Sequence, residues 1–94
     1  MPKLGDKCFS VSWVPTEAVV IQDGEHDPDQ AESVRIRKLF PTEAVAVQFA
    51  RSVADYYGCP GVFEMEFMYW DEHSQRCMER PNWKAVREIE VAHA

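Results

Sequence analysis

The sequence predicts an α+β domain: a single antiparallel β-sheet of four to five strands with one α-helix packed on one face, in the order β-β-β-α-β-β. Three observations carry this expectation. Apolar and polar residues alternate with a period of two from Lys7 to Val14, from Ser33 to Phe40 and again after Gly61. Between the second and third of these runs, apolar residues recur at helical spacing, and Pro and Gly residues punctuate the joins. A chain of 94 residues is long enough for one domain and too short for two ordinary ones.

In the first predicted strand, Lys7 to Val14, Phe9, Val11 and Trp13 oppose Cys8, Ser10 and Ser12. Pro15 breaks it. Ala18 to Gln22 contains the β-branched run Val19, Val20 and Ile21, which suits a second strand. Gln22 to Glu32 reads as an acidic loop, with Pro28 opposing regular structure. Ser33 to Phe40 makes the third strand. The helix follows: Thr42 is placed as its N-cap, Glu43 sits where the helix dipole favours an anion, and Ala46, Phe49, Ala50, Val53 and Tyr57 share one side. Gly58 suits a left-handed cap, and Pro60 stops continuation.

After Gly61 the near-continuous apolar run suggests a central strand, with Phe63, Met65, Phe67 and Tyr69 expected to meet the helix. Asp71 to Asn82 is expected to be a long hairpin connection, with brief pairing over Arg76 to Glu79. The tail from Trp83 fits either a strand or a helix capped by Asn82, and the alternation of Glu88, Ile89, Glu90 and Val91 favours the strand.

Composition limits function. The apolar fraction of 46% and aromatic fraction of 12% allow a core without a metal or disulfide staple. Sixteen acidic against ten basic side chains give a net charge of −6, which argues against general nucleic-acid binding and favours a basic protein partner. The longest apolar-rich stretch, Val62 to Trp70, is interrupted by Glu64 and Glu66, so no membrane span is expected. Three cysteines and the absence of a secretory leader pattern from Met1 to Lys7 suggest a reducing cytoplasm.

The sheet face opposite the helix is the candidate site. If the odd positions of the central strand meet the helix, Glu64, Glu66, Met68 and Trp70 point away, forming an apolar patch rimmed by charge that fits a protein partner or a second copy of the chain. The acidic loop residues Asp23, Glu25, Asp27 and Asp29 form a second candidate partner surface. They do not make a calcium loop, because Pro28 stands where Gly is needed and Val34 where the closing Glu is needed.

No catalytic residue, metal site or cofactor is assigned. Cys59, His73 and Cys77 lack the spacing of a zinc set, although their convergence in space is open, and a metal- or thiol-dependent enzyme using Cys77 and His73 is an alternative. A further alternative is a nucleic-acid accessory protein using Arg35, Arg37 and Lys38. If pairing brought these beside Arg76, Arg80, Lys84 and Arg87, a basic patch would form, whereas cross-strand pairing with Glu64, Glu66, Glu88 and Glu90 would neutralise it.

The run from Arg35 to Gly58 comprises a charged strand ending at Phe40, then Pro41, Thr42, Glu43 and Ala44, an alanine-bearing helix, and Tyr57 with Gly58. It resembles small sheet-plus-helix proteins of phages and mobile elements, including some anti-CRISPR proteins. The likeness is architectural and covers about a quarter of the chain. It implies a binder that inhibits a host complex by occupancy, and it assigns a role to no residue.

Overall fold

The computed structural model describes residues 2–18, 28–71 and 80–91. Four strands, β1 (Lys7–Trp13), β2 (Ile36–Phe40), β3 (Gly61–Asp71) and β4 (Arg80–Ile89), form one sheet in the order β2-β1-β3-β4. Every neighbouring pair is antiparallel. A short α1 (Pro28–Ser33) precedes β2, and α2 (Glu43–Ser52) follows it. The α+β class, the antiparallel sheet and the packed helix are therefore as the alternation predicts.

The element α2 starts where expected. Thr42 is extended, with φ −131° and ψ 153°, and its hydroxyl accepts from the Val45 N–H. Ala46 and Ala50 are buried on the sheet. They join Val11, Val62 and Ile89 in the core, with Phe9, Trp13, Phe40, Val47, Phe49 and Val91 packed around it. Phe49 stands at the centre of this rim, 5.2 Å from the Trp13 ring and 4.9 Å from the Phe40 ring.

Several expectations change. The helix ends at Ser52 and does not reach Tyr57. Tyr56 donates its N–H to the Val14 carbonyl at 2.8 Å, and the Asp55 carboxylate accepts from the N–H groups of Val14 at 2.6 Å and Tyr57 at 3.1 Å. These bonds recruit residues 55–57 to clamp the end of β1, which a continuing helix would forbid. Gly58 does adopt φ +111°, in the turn beyond this clamp. Pro28 opens α1 instead of prolonging a loop, because its fixed φ suits a first helical position. Ala31 of α1 is fully buried. The third predicted strand is shorter, beginning at Ile36. Of the predicted second strand, Ala18 closes a 3-10 turn spanning Thr16–Ala18, and residues 19–22 lie outside the described residues, as do 72–79 of the connection. The tail is the strand β4.

The register corrects the assignment of faces. Val11 pairs with Val62, so the even positions Val62, Glu64 and Glu66 lie on the helix side, whereas Phe63, Met65 and Phe67 share the reverse face with Cys8 and Ser10. A helix of ten residues covers about 15 Å, and its two alanines bring it close to the sheet over Val11, Val62 and Ile89. The strand β3, with eleven residues, runs about 36 Å, so Glu64 and Glu66 fall past the helix rather than behind the sheet. The reverse face is itself closed at its middle: Cys8, Ser10, Ser12, Met65 and Phe67 are all buried.

Candidate protein-interaction surface

The residues expected to form one open patch are dispersed. Glu64 and Glu66 flank α2 in a charge ladder, with the Lys7 ammonium 3.7 and 3.5 Å away and Arg87 bridging Glu64 at 3.4 Å and Glu43 at 2.9 Å. Irregularities in the β3–β4 register fall between Glu64 and Met65 and between Phe67 and Tyr69. Met68 is the unpaired residue of the second, and it is 42% exposed. This bulge turns Tyr69 to the helix side and Trp70 to the reverse side. There Trp70 is half-buried, 5.3 Å from the Phe67 ring, which in turn lies 5.4 Å from Trp83. An open face uniting Glu64, Glu66, Met68 and Trp70 is thus absent, because the sheet parity separates the glutamates from the tryptophan. Asp23, Glu25 and Asp27 lie outside the described residues, and Asp29 lies in α1.

The thiol and basic alternatives meet different geometry. Cys8 is buried on β1, which pushes its thiol up and keeps it protonated, while Cys59 is exposed seven residues beyond the end of α2. Cys59 borders a cleft of about 450 Å³ shared with Val62, Glu88, Ile89 and Glu90. Among the described residues no three His, Cys, Asp or Glu side chains come together as a metal set, and His73 and Cys77 lie outside them. Arg37 and Lys38 lie on β2, whereas Arg80, Lys84 and Arg87 lie on β4, the opposite edge of the sheet. Among the described residues the two basic groups do not merge, and Arg76 lies outside them. Of these basic residues Arg87 pairs across strands with Glu64, as the cross-strand alternative expects, while Glu64 and Glu66 take a further cation from Lys7 on β1.

What the fold does expose is β2. It lies at the sheet edge, paired on one side to β1 from Phe9↔Phe40 to Trp13↔Ile36, and among the described residues no strand pairs with its other side. From Ile36 to Leu39 every residue is exposed, including Ile36 at 43% and Leu39 at 42%. Successive side chains point to opposite faces, so Ile36 and Lys38 lie on the helix side with Trp13 and Val11, and Arg37 and Leu39 on the reverse side with Ser12 and Ser10. The Lys38 ammonium rests 5.2 Å from the Phe49 ring centroid and 5.6 Å from that of Phe40.

Arg35 anchors the entrance to this strand. Its guanidinium donates to the Glu32 carboxylate at 3.1 and 3.2 Å and to the Ser12 hydroxyl at 3.1 Å, with the Tyr57 ring 5.9 Å away. The hydrogen bond to Arg35 holds the Glu32 carboxyl below its ordinary range, and the same bond raises the Arg35 pKa. Arg35 is therefore committed, while among the described residues Arg37 has no ion-pair partner. The exposure of β2 does not follow from the alternation of Ser33 to Phe40 alone. Its signal is present, since neither parity of Ile36, Arg37, Lys38 and Leu39 is wholly apolar. Comparison with family models, curated proteins and solved structures finds no match to this chain.

Proposed function

We propose that this chain is a protein-binding module that receives an extended segment of its partner along β2. The observation that carries the reading is the β2 edge, which no strand among the described residues pairs and which is exposed on both faces along Ile36 to Leu39. An edge strand offers a row of outward N–H and C=O groups, and a partner segment gains main-chain hydrogen bonds there with its side chains lying beside those of β2. The other edge is a poorer template. The strand β4 carries Pro81, which lacks an N–H, and its pairing with β3 is interrupted at two places.

Occupancy of this kind needs no catalytic group. If the architectural resemblance to mobile-element proteins extends to their mode of action, the partner is a component of a host complex that the bound chain blocks. The basic partner expected from the net charge would have to meet the acidic segments rather than β2, which is itself basic.

Site-specific photo-crosslinking in the native cell tests the reading. A photoreactive residue replacing Leu39 is expected to give a discrete adduct, whereas one replacing Val45, exposed on α2, gives none. A discrete adduct at Val45 and none at Leu39 would overturn it.

A further inference from the structure

Building on the reading of β2 as a docking edge, we propose that the segment it accepts is acidic, with two adjacent carboxylates between apolar residues. Arg37 and Lys38 are neighbours in sequence and so stand on opposite faces of the sheet. A strand added about 4.8 Å away meets a cation on each face, and a carboxylate at each facing position is the favourable cross-strand partner. On either side stand Ile36 and Leu39, both exposed and both apolar, which favour apolar partners. The complementary pattern is apolar, acidic, acidic, apolar. It reads the same in both directions, so it serves a parallel or an antiparallel segment.

The same charges disfavour a second copy of the chain at this edge. Antiparallel self-pairing centred on Lys38 sets Lys38 against itself and Arg37 against Leu39. Centred one half-step earlier, it sets Arg37 against Lys38. Like charges directly opposite are destabilising, and edge lysines are a common guard against self-association. The guard against self is thereby a selector for an acidic partner. The chain's net charge of −6 opposes approach from afar, but at physiological salt the screening length is about 8 Å, so contacts at the edge decide the outcome.

The test titrates the ¹⁵N-labelled full chain with two macrocyclic hairpin peptides, whose closure reduces the ordering cost of binding. One displays Val-Glu-Glu-Val on its free strand, the other Val-Lys-Lys-Val. The expected result is amide shifts concentrated at Arg37 to Leu39, with the acidic hairpin tighter by on the order of tenfold, and a reversed preference in the double variant Arg37→Glu, Lys38→Glu. Should the double reversal unfold the chain, Arg37→Gln with Lys38→Gln is expected to abolish the preference. Equal or tighter binding of the basic hairpin on β2 would overturn the acidic assignment and leave strand addition standing. If neither hairpin shifts β2, the docking edge falls with it.

Discussion

Ser10 is 1% exposed in the middle of the sheet, and its hydroxyl has no hydrogen-bond partner among the described residues. A buried hydroxyl without a partner costs about 1–3 kcal/mol, and alanine removes the oxygen while leaving a methyl group in nearly the same space. Ser10→Ala is therefore expected to stabilise the fold by about 1 kcal/mol, raising the thermal midpoint by roughly 4–8 °C. A midpoint lowered in a thermal melt would contradict this. Ser10 also shows what single residues disclose. Its alternation with Phe9 and Val11 places it correctly on the face away from the helix core, yet its near-complete burial depends on what covers that face. Cys8 is similar: its strand position is legible, whereas its raised thiol pKa follows from burial.

Among the elements, α2 is the most legible at its start and the least at its end. Thr42, Glu43 and the spacing of Ala46 and Ala50 are local signals, and each holds in the structure. Thr42→Ala is expected to cost about 1 kcal/mol in chemical denaturation, since it leaves the Val45 N–H without its cap, and a loss below about 0.3 kcal/mol would count against the capping role. The end of α2 escapes a local reading because Val53 and Tyr57 continue the helical spacing. What ends it is Asp55, whose carboxylate binds the Val14 N–H across 41 residues. Strand β3 repeats the lesson. Its apolar odd positions are plain, but which side they face is set by pairing Val11 with Val62 and by the bulge at Met68. The larger side chains consequently pack away from the helix, and the expected open patch dissolves. Strand β4 is legible at Glu88 and Ile89, where the alternation falls, but it ends there instead of continuing through Glu90 and Val91, and it begins at Arg80, inside the expected connection.

On the scale of the whole molecule, one sheet with the ten-residue α2 against it and the short α1 makes a thin body, 47 × 38 × 16 Å. Its accessible surface is 6888 Å², against about 5,600 Å² expected for a folded chain of 10.9 kDa. Among the described residues no helix is long and apolar enough to cross a membrane. The charge is locally reversed as well: in a chain with sixteen acidic and ten basic side chains, Arg37 and Lys38 stand side by side on the sheet edge. Net charge alone thus suggests a basic partner, and only the strand order shows that the open edge has the opposite sign. Amide hydrogen exchange across β2, with and without the acidic hairpin, tests the central claim most directly. Outward-facing amides between Ile36 and Phe40 are expected to exchange fast in the free chain and to gain protection when the hairpin is bound, while those of β4 stay unchanged. Protection of β2 already complete in the free chain, or acquired only along β4, would contradict it.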